Sequence, residues 1–535
     1  MKQIKYIILG LLLISVSPAC NKVLEVTPGV PLESNYFTSE AKVQGGIAGP
    51  YAKLVDIHGG YMSSGGPFFP VWLLPGDDIT YQNASGSGAE FETFSGLNSS
   101  DGRIASVWQL YYQAITRCNF MLNMLSEPAI QAVFTTPGLK DNNVGEMLFL
   151  RSYCDLLLWD WFRKAPIQYD RITSMDSLYL PPSKGFDMLD FAIASLQKAI
   201  PLLPTAWPAG QGGRITKDGA YGLLVKCYVE RACYNNKNAA DYANAITAFQ
   251  NISSSRQLVS QFGDNFDYRT ENNTESLFEL QATQLPNGAN NPWLNGDAAG
   301  SSVTTGVYWN FWTNHWSNYT SGIAGPSEKL VKAFTPGDPR ITETFRNTPD
   351  NLGGILSWIV PFNYFYGGNQ IVKYVNGARG NCYDPNWQIS SANNPRIIRL
   401  ADVKLCAAEA YLATGNSTAA LKQVNDIRTR ARNSVPNGTP PSTVPANLSS
   451  VTMQNIMDER LLELAGEEGN RWTDLRRWHA AGYINLGNWA PADFGFTMNP
   501  SLFAFDVSKH LLFPIPISEL NSNPQMAVSG NNPGY

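Results

Sequence analysis

The chain has 535 residues, of which 44% are hydrophobic and only 16% charged, with a formal net charge of −5. That length permits one large domain or several, and the apolar content is ample for a sizeable core. The charge content lies well below the roughly 25% of ordinary soluble domains, and without long basic runs it excludes a nucleic-acid face. Aromatics make up 12%, including 14 Trp and 24 Tyr. A surface poor in charge and rich in rings, Asn, Gly and Ser suits neutral partners such as sugars.

Lys2 and Lys5 precede an apolar run, Ile7–Leu13, and then Ser15-Val16-Ser17-Pro18-Ala19-Cys20. This is a signal-peptide pattern, too short for a membrane span of about 20 residues. Cys20 after Ala19 resembles a bacterial lipobox, with Ser17 and Pro18 in place of the usual Leu-Ser/Ala pair. We expect a lipoprotein signal peptide over residues 1–19 and a lipidated Cys20, which leaves residues 20–535 as a soluble body on a lipid tether. Six cysteines remain. Cys227 and Cys233 diverge on one predicted helix, and Cys118, Cys154 and Cys406 lie in apolar helical runs. These positions predict buried free thiols rather than disulfides.

Helices are predicted over Glu40–Val55, Ile104–Leu125, Glu146–Phe162 and Lys184–Ile200, each from apolar residues at helical spacing. Asp56–Gly102 reads as a long loop rich in Gly, Ser and rings. Thr216–Asn235 with Asp241–Ser253, and Arg399–Thr414 with Ser417–Arg432, are amphipathic helix pairs. The turn Gly415-Asn416 and the small residues at the crossings resemble tetratricopeptide units. A third pair would join Ile104–Leu125 to Glu146–Phe162. Such units stack into a helical wall. Between the pairs, residues 255–398 have little helical period and hold Trp293, Trp309, Trp312, Trp316, Trp358 and Trp387. An irregular stretch of that length is a functional feature more often than a linker.

The four histidines are scattered, with no pair at ligand spacing, and no phosphate-loop, dinucleotide or nucleophile-elbow motif occurs. No metal site and no cofactor are expected. The densest charge lies in Glu459–Trp478, ERLLELAGEEGNRWTDLRRW, read as two helices broken at Gly469 with Asn470 placed as N-cap. A glycosidase needs two carboxyls facing each other across a sugar, about 5–9.5 Å apart. Neighbours on a helix, such as Glu467 and Glu468, point about 100° apart. Matched against Arg460, Arg471, Arg476 and Arg477, the acids read instead as a structural ion-pair network.

The better ligand signal is aromatic. Sugars present flat C–H faces ringed by hydroxyls, which rings and short polar side chains match. Residues 308–319 interleave both kinds, as does Trp72-to-Gln82 in the first long loop. Candidate ligand-binding residues are therefore Trp72, Asp78, Tyr81, Trp293, Trp309, Trp312, Trp316 and Tyr319.

Four blocks carry a resemblance to a known family. They are Cys20-Asn21 with its Pro-containing leader, RLADVKLCAAEAY from Arg399 to Tyr411, the Glu459–Trp478 stretch, and LFPIP from Leu512 followed by Glu519-Leu520-Asn521, Asn523-Pro524 and the closing Asn532-Pro533-Gly534-Tyr535. Ser327–Phe334 with Gly337-Asp338-Pro339-Arg340 also fits. The sequence resembles the SusD/RagB family, outer-membrane lipoproteins of the Bacteroidota that capture nutrients for a partner transporter. It departs from the pattern at Trp161–Pro166, where the family has a G-D-x-P turn, and at Asp402, where Glu is common. Acidic residues after the lipid cysteine are nearly absent, Glu25 being the nearest.

The resemblance implies a mainly α single domain. A tetratricopeptide-like scaffold would span about 20–254 and 399–535, with a loop-rich, aromatic-rich binding part over about 255–398. It implies a non-enzymatic glycan-binding protein, displayed on the outer membrane, that passes oligosaccharide to a TonB-dependent (SusC-like) transporter. A lipid-anchored glycoside hydrolase and a structural lid of a peptide or other nutrient transporter are the alternative readings.

Overall fold

A computed structural model describes residues 36–59, 68–81, 88–175, 177–281, 324–346, 366–373, 394–467 and 470–535. In chain order the main elements begin with α1 (Glu40–Gly59), α2 (Phe68–Leu73), β1 (Ile79–Tyr81), α3 (Gly102–Ser126), α4 (Leu139–Phe162), α5 (Asp187–Ala199), α6 (Lys217–Tyr234) and α7 (Ala239–Gln250). They continue with β2 (Ser276–Glu279), β3 (Ala324–Pro326), α8 (Glu328–Ala333), β4 (Phe345–Arg346), β5 (Gln370–Ile371) and β6 (Arg396–Arg399). The last four are α9 (Leu400–Ala413), α10 (Ser417–Asn433), α11 (Met453–Leu464) and α12 (Asn470–Ala480).

Several helices start where a side chain satisfies their free N–H groups. Asp101 accepts from the backbone of Arg103 and Ile104 at the start of α3. Thr216, Asn238 and Asn416 cap α6, α7 and α10 in the same way. Thr452 and Asn455 cap α11 reciprocally. Asn470 opens α12, and its Oδ1 accepts from Lys226 Nζ at 2.7 Å.

The pairs predicted from periodicity are present: α6 packs on α7, α9 on α10, and α3 on α4. They form a running series, since α4 also packs on α5, α5 on α6, α7 on α9, and α9 on α11. One hydrophobic core runs from Phe37 to Met526, so the chain is a single domain rather than several. A smaller cluster lies between α9 and α10 around Leu405, Val424 and Ile427. Cys118, Cys154, Cys227, Cys233 and Cys406 are free and buried, as their positions predicted; Cys382 lies outside the described residues. Among the described residues, no helix is long and apolar enough to cross a membrane.

Among the described residues the strands are short and form three two-stranded antiparallel ladders: β1 with β3, β2 with β6, and β4 with β5. Each joins parts of the chain that the helix series leaves apart. Gly222 lets α6 lie against the β2–β6 ladder, since a Cβ there would come within 2.9 Å of Leu277 and 3.2 Å of Ile398. The expected loop over Asp56–Gly102 is in fact interrupted by α2 and β1, both too short to announce a period.

Candidate functional site

The segment from Trp72 to Tyr81 is the part of the candidate site that the structure describes, and it is built into the body of the protein. Trp72 is 2% exposed and packs edge-to-face on Trp161, with ring centroids 5.6 Å apart. It borders a cavity of about 50 Å3 shared with Tyr153, Asp160, Glu230 and Asn470. That volume holds a few waters but no sugar ring. Burial pushes the Glu230 carboxyl there up to about 8.

Asp77 and Asp78 both lie inside, but their environments differ. Arg471 donates to Asp77 from both Nε and Nη2, the latter at 3.0 Å to Oδ2, and Lys329 Nζ reaches the same oxygen at 2.6 Å. Burial alone would raise Asp77; the two cations outweigh it and hold the carboxyl near 2. Asp78 has no cation at ion-pair distance among the described residues, Arg471 acting on it only from further off. Its Oδ2 accepts from the backbone N–H of Gly466 at 2.8 Å, and burial beside the Asp77 charge raises it to about 6. Thr80 Oγ1 and Tyr81 N donate to Glu92 at 2.6 and 2.9 Å, yet burial still lifts that carboxyl to about 8. Paired acids with separated pKa values can do acid–base work. Here Asp77, Asp78 and Glu92 are at most 3% exposed and tied to backbone or cations. Their visible role is to fix the segment.

Tyr81 ends β1 directly opposite Ala324, the first described residue after the stretch 282–323. Ser327 closes the same corner, its N–H donating to Asp78 O at 2.9 Å and its hydroxyl to Asp77 O at 2.6 Å. Trp72, Asp78 and Tyr81 are thus brought together on one buried segment. Trp293, Trp309, Trp312, Trp316 and Tyr319 lie outside the described residues, as does Cys20. The sequence reading missed Glu92 and Lys329, which hold the segment in place. Glu92 sits in a short EFET turn with no pattern to single it out. Lys329 carried a signal only as part of the Ser327–Phe334 block.

The Glu459–Trp478 block is an ion-pair network, but most of its partners lie elsewhere in the chain. Glu463 accepts from Arg399 Nη1 at 2.7 Å and Arg340 Nη1 at 3.2 Å, and also pairs with Arg430. Glu459 accepts from Arg340 at 2.6 Å and Arg428 at 2.7 Å. Glu467 takes Arg399 and Lys373 at 2.9 and 2.7 Å. Of the arginines, Arg476 binds Asp160 and Arg477 binds Glu409, both at 2.5 Å. Arg460 joins Asp402 at 2.8 Å to Asp474 at 2.6 Å. Burial opposes the charge on Glu463, but Arg430, Arg399 and Arg340 outweigh it and hold the carboxyl near 2. Such a lattice of matched charges ties α11 and α12 to α4, α9, α10 and β6, and the described acids of the stretch, Glu459, Glu463, Glu467 and Asp474, are all buried in it.

Two family models match the chain. One, described as "SusD family", covers residues 265–535. The other, described as "Starch-binding associating with outer membrane", covers residues 76–229. A SusD-like protein of Bacteroides ovatus is 27% identical over 400 residues, spanning 73% of this chain and 68% of that protein. Among solved structures, a laminarin binding SusD-like protein superposes with a TM-score of 0.71 at 21% identity, over 93% of this chain and 100% of the other. The surface glycan-binding protein A from Bacteroides thetaiotaomicron, solved in complex with laminarihexaose, gives 0.67 at 20% identity, over 92% and 100%.

Proposed function

The chain belongs to the SusD/RagB family, and from that premise we propose that it is a non-enzymatic lipoprotein of the outer membrane. In this reading it binds an oligosaccharide or polysaccharide and delivers it to a partner TonB-dependent transporter. The observation that carries the reading is the family match over 265–535, a span that holds the Trp-rich stretch, the β2–β6 ladder and the buried charge lattice. The laminarin-binding neighbours and the outer-membrane description of the second family model support the ligand class and the location. Trp293, Trp309, Trp312, Trp316 and Tyr319 supply the sugar-facing rings, and lipid on Cys20 supplies the anchor. Trp72, Asp78 and Tyr81 then act as buried support, on the segment that pairs with the chain at Ala324. The burial of Asp77, Asp78 and Glu92 supports binding without hydrolysis.

The test is affinity electrophoresis and calorimetry against a panel of polysaccharides, with a reducing-end assay run alongside. The expected result is reversible binding without new reducing ends, weakened in the Trp309→Ala, Trp312→Ala and Trp316→Ala variants. Binding to none of the panel overturns the glycan reading, and release of reducing ends that stops with a single carboxylate change makes the protein a hydrolase. Mass spectrometry of the membrane fraction would show acyl chains on Cys20; an unmodified Cys20 removes the anchor.

A further inference from the structure

Away from the Trp72–Tyr81 segment, a Gly-rich turn between α5 and α6 carries a half-buried tryptophan, Trp207, in the sequence PTAWPAGQGGR. Residues 212–214 border two adjoining grooves, of about 310 Å3 on the Trp207 side and about 380 Å3 on the side of Tyr51 and Gln281. Together they fall in the size range of small-molecule sites.

The grooves are set before any ligand arrives. The Arg214 guanidinium lies 3.7 Å from the Trp207 ring centroid. It is locked from behind by the fully buried Glu146, which accepts from Nε at 2.8 Å and Nη2 at 2.5 Å. Tyr51 donates to the same carboxylate at 2.6 Å. The indole N–H is spent on Ile215 O at 2.8 Å, so Trp207 offers its ring rather than its N–H. At the rim, the Asn272 and Gln281 side-chain amides pair with each other at 2.9 and 3.1 Å.

The charges that line the grooves are already matched. Arg214 pairs with Glu146, Arg256 with Asp218 at 3.0 Å, and Glu279, which borders both grooves, with Arg396 at 3.4 Å. An anionic ligand would have to compete with those carboxylates, whereas a neutral polyhydroxyl ligand would not. A fixed indole, a stacked guanidinium and a pair of rim amides match the C–H faces and hydroxyls of a neutral sugar. Gln281 also immediately precedes the Trp-rich stretch 282–323 in the chain. We propose that the paired grooves around Trp207, Arg214 and Gln281 form a second subsite for neutral glycan, built from residues other than the aromatic candidates of 293–319. The proposal rests on the glycan-binding reading and extends it from one contact region to two.

The experiment uses the full chain and laminarin, starch, xylan and mannan as probes. Gly212 borders both grooves with only Asn272 within 4 Å of its would-be Cβ, at 3.9 Å, so Gly212→Gln fills the rim without disturbing packing. For whichever polysaccharide binds, Gly212→Gln and Trp207→Ala should each weaken affinity about five- to tenfold. The thermal midpoint of Gly212→Gln should stay at the wild-type value. Combining Gly212→Gln with Trp309→Ala should weaken binding beyond either change alone. Unchanged affinity in Gly212→Gln overturns this inference alone. A wild-type chain that binds none of the four overturns the glycan reading and this inference with it.

Discussion

The backbone N–H of Gly466 donates to Oδ2 of Asp78 at 2.8 Å, joining positions 388 residues apart. Gly466 can do so because it turns the chain after α11 with φ of +69°, a region that L side chains avoid. A Cβ there would meet only Ile371 and Ile79, at an ordinary 3.7 Å. Gly466→Ala should therefore cost about 1–2 kcal/mol through backbone strain alone. A urea midpoint equal to wild type would show that the turn does not need the left-handed conformation.

Glu463 is the acceptor on which Arg340, Arg399 and Arg430 converge. Glu463→Gln should destabilise the protein by about 3–5 kcal/mol, because it leaves buried guanidinium charge unmatched. Its carboxyl is held near 2, below the unfolded value. Its stabilising effect is therefore present above the unfolded pKa, near 4.5, and is lost as the pH falls towards 2. Unfolding followed between pH 6 and pH 3 should show a steep acid limb in wild type and a shallower one in the variant.

Glu92 works in the opposite sense. Burial raises its carboxyl to about 8, so the folded protein holds a proton that the unfolded chain has released above about 4.5. Stability from this group is complete below 4.5 and falls as the pH rises to about 8. In Glu92→Gln the amide can still accept from Tyr81 N, while the Thr80 hydroxyl turns round to accept. Denaturant midpoints at pH 5 and pH 8 should therefore differ less in the variant than in wild type. Equal differences would mean that Glu92 is ionised in the fold.

Trp72 and Trp309 should separate packing from binding. Trp72→Ala removes a ring buried against Trp161 and should cost about 3–5 kcal/mol. Trp309→Ala should weaken glycan binding while leaving the melting temperature near wild type. Calorimetry and thermal melts on the same two preparations decide it; the reverse pattern would move the ligand to the Trp72 segment.

The helical scaffold was legible because each long helix carries its own apolar stripe. Ala220, Leu223, Cys227 and Tyr228 on α6 repeat at helical spacing and are all buried. α2 and β1 were not legible, since six and three residues are too few to show a period. The charge lattice was legible as charge but not as connectivity. The run ERLLEL demands partners, yet Arg340, Arg399 and Arg430 lie 33 to 123 positions from its Glu463. Nothing local points to contacts at that separation. The ligand candidates expose a related limit: ring and acid content put Trp72, Asp78 and Tyr81 beside the sugar-like composition, but composition carries no measure of burial. Trp207 went unremarked because it stands alone among Pro and Gly, and its significance appears only once Arg214 and Glu146 are seen behind it.

The three small ladders have a consequence for how this protein can change over time. The stretch 282–323 leaves after β2 and returns at β3, 347–365 leaves after β4 and returns at β5, and 374–393 runs from β5 to β6. The flanking strands pair with β1 or with one another, and β6 leads straight into Arg399 and the charge lattice. Both flanks of each stretch are thereby held on paired strands, so a change of length between them leaves its two ends in the same place.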